Sequence, residues 1–151
     1  MFARASSWFS FSYDLHDDRQ EWVAHIDEPW FSKSVEANIL RRSYRFYRPG
    51  WPDLSYCLVE SNGVILARAD RGLFPSFDLH IGKEHYVWRS NYLLDPFLLL
   101  KQDTKIGSVE FGLISRGAAI DLPEAIPLPA QVFLFWLAAV VRRQSGGAGS
   151  N

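Results

Sequence analysis

Ala130-Gln-Val-Phe-Leu-Phe-Trp-Leu-Ala-Ala-Val-Val141 is the longest uninterrupted helical stretch in the chain, and Gln131 is its one polar residue. A helix that is apolar on every side has to be surrounded by something apolar. The run falls short of the roughly 20 apolar residues that a bilayer core of about 30 Å demands. The wrapping is therefore expected from the rest of the chain, which reads as short, aromatic-rich, alternating strands. The expected fold is mainly β: a closed or nearly closed antiparallel β-barrel of about ten to twelve strands wrapped around a hydrophobic C-terminal helix over residues 130–143. A rival reading makes 126–141 a short tail anchor flanked by Arg142-Arg143. Gln131 and the prolines at 123, 127 and 129 count against it.

A chain of 151 residues matches one domain and is long enough to bury a sizeable core, so residues 1–144 are assigned to a single barrel and the Gly/Ser-rich 145–151 to a flexible tail. Hydrophobic content of 48% with 22% charged residues fits a folded globular protein, and the 15% aromatic share favours strands. A formal net charge of -1 provides no global field for nucleic acid, which is not an expected partner. One cysteine, Cys57, allows neither an internal disulfide nor a thiolate cluster. Met1 to Arg4 followed by Ser6-Ser7 lacks the apolar run of a secretory signal, and a cytoplasmic location is expected.

Outward from the helix, Phe9, Phe11, Tyr13 and Leu15 alternate with polar residues, predicting a strand over 8–15. Residues 21–26 return as its hairpin partner, and Pro29 ends them. Ser34 to Ala37 has the look of a helical turn, after which 39–47 reads as one strand with Leu40, Tyr44 and Phe46 opposed to Arg41, Ser43 and Arg45. Residues 54–60 and 64–69 flank Ser61-Asn62-Gly63, where Asn-Gly predicts a tight primed turn. Further strands are expected over 77–81, 86–89, 97–100, 106–114 and 118–122, with Gly107 and Gly112 marking bends or bulges. Turn signals recur roughly every eight to twelve residues, the spacing of an all-β body.

The basic-aromatic segment Ile39-Leu-Arg-Arg-Ser-Tyr-Arg-Phe46, the later Lys105-Ile-Gly-Ser-Val109 and the terminal Leu128-Pro-Ala-Gln131 leading into an apolar helix resemble the tubby C-terminal-like superfamily, which includes LURP-one-related and phospholipid-scramblase-like proteins. The resemblance runs from about Trp8 to Arg143. It implies a barrel threaded by its C-terminal helix, and a non-enzymatic module that in some members binds phosphoinositide headgroups. The family's aspartate after the helix is replaced here by Arg142-Arg143, and no family ligand residue maps onto a position of this chain.

Arg41, Arg45 and Arg48 form the candidate ligand-binding set, together with Trp51 from the Pro-rich loop that follows. On one strand Arg41 and Arg45 would point the same way about 13 Å apart, suited to two phosphates. The opposing reading is a solvated face paired with acidic neighbours. The partner expected is an anionic phospholipid or an acidic protein, met peripherally at a membrane in the first case. Tryptophans such as Trp30 and Trp51 suit the headgroup zone. A structural or protein-interaction subunit is the second reading. An enzyme using His25, His80 or His85 with nearby carboxylates is the third. Their spacing matches no metal motif, and neither metal nor cofactor is expected.

Overall fold

The alternating sequence becomes twelve strands and one helix in the computed structural model, which describes residues 1–6, 11–28, 34–50, 55–72, 75–91, 95–112 and 117–149. The strands are β1 (Phe2–Ala5), β2 (Tyr13–His16), β3 (Trp22–Asp27), β4 (Ser34–Ile39), β5 (Arg42–Tyr47) and β6 (Ser55–Glu60). They continue as β7 (Ile65–Arg71), β8 (Ser76–Ile81), β9 (Glu84–Arg89), β10 (Phe97–Lys101), β11 (Thr104–Phe111) and β12 (Gly117–Asp121), followed by α1 (Leu128–Gly149). Each strand pairs antiparallel with its neighbours in sequence, and β1 closes on β12 through Phe2↔Ala119, Ala3↔Ala118 and Arg4↔Gly117. A closed barrel leaves no edge strand to recruit other chains.

The barrel holds α1 in its centre. Every residue from Val132 to Ala138 is completely buried, so the helix is enclosed on all sides, as its composition requires. Room for it comes from the wall: Ala24, Ala37, Ala67, Ala69 and Ala118 are buried on their strands and leave width for a helix about 10–12 Å across. The bulk comes from aromatic pairs, with Phe46 against Phe133 and Trp136 at 5.4 and 5.2 Å, and Tyr13 edge-on to Phe135 at 5.0 Å. Gln131 Nε2 donates to the carbonyls of Pro123 and Ile126, at 3.3 and 2.9 Å. The one polar residue of the run thus ties down the segment that leads into the barrel. No helix among the described residues is long and apolar enough to cross a membrane.

Several local expectations are corrected. Residues 34–47 are neither a helical turn nor one strand but the hairpin β4–β5, in which Leu40 and Arg41 form a two-residue turn at φ 48 and 66. Only Gly63 takes positive φ in the Ser61-Asn62-Gly63 loop, so that hairpin uses a three-residue connection ending in a left-handed glycine and not a primed Asn-Gly pair. The strand expected over 8–15 is confined to β2 among the described residues, with Trp8 and Phe9 outside them, while β1 went unforeseen. The helix extends beyond Arg143 to Gly149, into the segment assigned to a tail. Gly107 does sit beside a bulge: Leu99 faces Gly107 and Leu100 faces Lys105, leaving Ile106 extra. A Cβ on Gly107 would meet the Asp121 carbonyl oxygen at 2.8 Å, so the close approach of β11 to the end of β12 requires glycine there.

Candidate functional site at the turn end of the barrel

An even, up-and-down meander gives the barrel two unlike ends. The connections β2–β3, β4–β5, β6–β7, β8–β9 and β10–β11 are short turns at one end, where the N-terminal ammonium also lies, bonded to Asp18 at 2.8 Å. The chain re-enters from this turn end after β12, and α1 emerges at the other. Arg142 donates to the Gly112 carbonyl at 3.3 Å and Arg71 to Gln144 at 3.1 Å, both at the helix-exit end.

The predicted arginines do not share a face. Arg41 lies in the turn between β4 and β5, because the hairpin reverses the chain before alternation could align it with Arg45. Arg45 projects from the middle of β5 and sits 3.8 Å from Glu36 on β4, with both side chains largely exposed. Arg48 follows β5 at the helix-exit end, roughly 20 Å from Arg41 at the rise of an extended strand. It is ion-paired with Glu28. Trp51 lies outside the described residues, as does Trp30.

Glu28 is the functional residue that sequence reasoning missed. It is 1% exposed and its carboxylate accepts hydrogen bonds from Arg48, from both terminal nitrogens of Arg143, and from Trp136 Nε1 at 3.2 Å. The signal was present in the parity of β3. Ala24 and Ile26 point inward, so Glu28, two residues further on, continues onto the same face. Arg143, just past the apolar run of α1, supplies an answering charge.

At the turn end the geometry gathers different chemistry. Leu40 is 59% exposed and Ile65 60%, with Trp22 and Val64 also exposed, on neighbouring hairpins of β3 through β7. Arg41 and Arg42 line an open groove of about 530 Å³ with Ser43, Tyr44, Glu60 and Asn62. Neither arginine is ion-paired among the described residues. The left-handed conformation at Leu40 costs roughly 1–2 kcal/mol for an ordinary L-residue, a cost that Asn or Gly would lessen. Such strain, where a cheaper residue exists, points to the side chain's own use.

The four histidines lie along the wall, and His80 and His85 are in contact. His25 Nδ1 meets Asp14 Oδ1 at 2.8 Å, His85 is 3.5 Å from Asp78 and stacked on His80, and His16 stacks on Phe2. Among the described residues no three such groups converge where a metal ion could be held. Ser55 on β6 donates to Asp70 on β7, and that hydrogen bond holds the Asp70 carboxyl below the usual carboxylate range, aided by Arg68 at 3.2 Å. Cys57 is buried.

Against known proteins, no family, no curated sequence and no solved structure matches this chain. The class that the fold defines is a twelve-stranded antiparallel barrel with a resident helix.

Proposed function

We propose that the protein is a non-enzymatic binding module that meets anionic phospholipid headgroups at a membrane surface through the turn end of its barrel. The observation that carries this reading is Leu40, exposed on a strained turn and followed directly by Arg41 and Arg42, which have no acidic partner among the described residues. An apolar tip beside two guanidiniums that form no ion pair among the described residues, with Glu60 in the same groove, suits a surface that is oily beneath and negative above. Each cation near an anionic leaflet contributes about 1 kcal/mol, so this pair alone enriches the protein there roughly 30-fold. Trp22, Val64 and Ile65 add apolar area, and tryptophan favours the headgroup layer. Kinship with the tubby C-terminal-like superfamily belongs to the same proposal, supported by strands wrapped around a terminal helix.

Flotation with phosphatidylcholine vesicles, with and without phosphatidylserine, tests it. The native chain is expected to float with the anionic vesicles alone, and the R41Q/R42Q and L40S variants to remain at the bottom. Equal recovery on both vesicle types, or none on either, overturns the proposal. A second reading, an interaction subunit, draws on the exposed Val64 and Ile65. A mass by light scattering that rises with concentration and falls in V64S/I65S would favour it.

A further inference from the structure

The helix-exit end holds a cleft of about 250 Å³ between α1 and the strands β2, β11 and β12. Its walls are aromatic and its mouth is cationic. Tyr13 and Phe111 both pack on Phe135 of the buried helix, at 5.0 and 5.9 Å between ring centroids, so the core fixes them. The Arg143 guanidinium lies 4.1 Å over the Phe11 ring and is neutralised by Glu28. Ala139 and Gly117, the small residues on the lining, leave room in the cleft.

Arg142 is different from its neighbour. Its guanidinium lies 4.7 Å over Phe111 and donates one hydrogen bond, to the Gly112 carbonyl at 3.3 Å, and it has no carboxylate partner among the described residues. Glu28 is already shared between Arg48 and Arg143 and makes no contact with Arg142 among the described residues. A half-buried cation stacked on an apolar ring has lost part of its hydration, and an anion restores what it lost. The planar fork carries five donors, and the Gly112 bond leaves a pair available for a bidentate acceptor.

We propose that this cleft binds a small carboxylate with an apolar body, an aryl or short-chain alkyl acid. Its carboxylate pairs with Arg142, and its body lies against Phe11, Tyr13, Phe111 and Ala139. Size supports the class: an apolar cavity of about 150 Å³ accepts benzene, so the larger volume here takes a ring plus a carboxylate. A diacyl lipid does not fit. The site stands at the opposite end of the barrel from Leu40 and Arg41, and it does not rest on the membrane reading.

The test is titration of the full chain with benzoate, followed by calorimetry and by the chemical shifts of the Ala139 methyl group, with benzyl alcohol and inorganic phosphate as comparison probes. Saturable one-to-one binding of benzoate is expected, with both comparison probes weaker by about tenfold or more, the usual worth of a charge-assisted hydrogen bond. R142Q should weaken benzoate by a similar factor, and A139L should abolish binding by filling the floor. Should A139L fail to fold, R142Q on the partly exposed end of the helix keeps the question decidable. Benzoate binding unchanged in R142Q, or no stronger than that of benzyl alcohol or phosphate, overturns the assignment, as does the absence of saturable binding. R41Q/R42Q should bind benzoate as the native chain does, so this result and vesicle flotation fail independently.

Discussion

Replacing Glu28 with glutamine puts the barrel's internal charge arrangement to the test. The native carboxylate accepts from Arg48, from Arg143 through both terminal nitrogens, and from Trp136, and it is the one acidic group in that set. Glutamine keeps the shape and one acceptor oxygen but removes the charge and turns the second oxygen into a donor facing a guanidinium. Breaking a buried ion pair from one side typically costs 3–5 kcal/mol. The two arginine side chains are 32% and 19% exposed and recover some hydration, which places the expected loss near the lower bound, about 3 kcal/mol. For a domain of this size each kcal/mol moves the melting temperature by about 2–4 °C, so E28Q should melt roughly 6–12 °C below the native chain. Urea unfolding followed by tryptophan fluorescence gives the free energy, and a cycle with R143Q isolates the pairwise part, because the double variant should lose much less than the sum. A loss below about 1 kcal/mol would show that the cluster is held by neighbours and contributes little itself, refuting the reasoning.

Gly107→Ala should destabilise by about 1–3 kcal/mol, since its Cβ would sit 2.8 Å from the Asp121 carbonyl oxygen and 2.9 Å from Leu122 Cδ2, and urea midpoints measure this. Asp70 has its carboxyl lowered by Ser55, so it stabilises the fold fully above the ordinary carboxylate value, and that contribution is lost as pH falls through the lowered folded-state value. In Ser55→Ala the carboxyl should titrate closer to its usual value by NMR, and the acid loss of stability that it causes should shrink. Converting Leu40-Arg41 to Asn-Gly should relieve turn strain and raise the melting temperature by a few degrees, about 1 kcal/mol or more, while abolishing flotation with anionic vesicles. A variant that still floats would separate the turn from membrane contact.

The enclosure of the helix was legible because an all-round apolar helix has to be wrapped, and most strands were legible from alternation, but Ser34-Val-Glu-Ala37 read as a helical turn although Ser34 to Ile39 alternates as β4. Phe2-Ala-Arg-Ala5 escaped notice because it is short and alanine-rich; its pairing is imposed from outside by β2 and β12. Leu40-Arg41 carries no turn signature, and the hairpin forms because the ladder from Ser34↔Tyr47 to Ile39↔Arg42 outweighs the cost of two left-handed residues. That reversal also resets parity, which is why Arg41 and Arg45 are not side by side. Of the candidate residues, Arg41 forms no ion pair among the described residues, Arg45 lies near Glu36, and Arg48 is paired with Glu28. Glu28 was hidden by Pro29, which drew the reading toward a chain break when the alternation in fact carried one step further inward.

An even number of strands returns the chain after β12 to the end where it began, so a helix that fills the barrel must cross it once and place its C-terminal arginines among the opposite connections. The two ends therefore differ in kind. At the turn end, Arg41 and Arg42 form no ion pair among the described residues and lie beside exposed apolar tips; at the helix exit, a buried carboxylate organises cations against aromatic rings. Their separation of roughly 20 Å exceeds the Debye length of about 8 Å at physiological ionic strength, so neither end senses the other's charge directly. The strands of the wall and the helix both run between them, and the helix is fastened at both ends: Gln131 to the lead-in carbonyls, Trp136 and Arg143 to Glu28. Loss of Glu28 leaves Arg143, over Phe11 on the cleft wall, without its carboxylate and so changes the charge that a bound benzoate meets, while Leu40 and its neighbours remain held by their own hairpins. Glu28 is thus the residue whose loss should separate the two sites: E28Q should alter benzoate affinity at the exit by calorimetry and leave vesicle flotation through the turns unchanged.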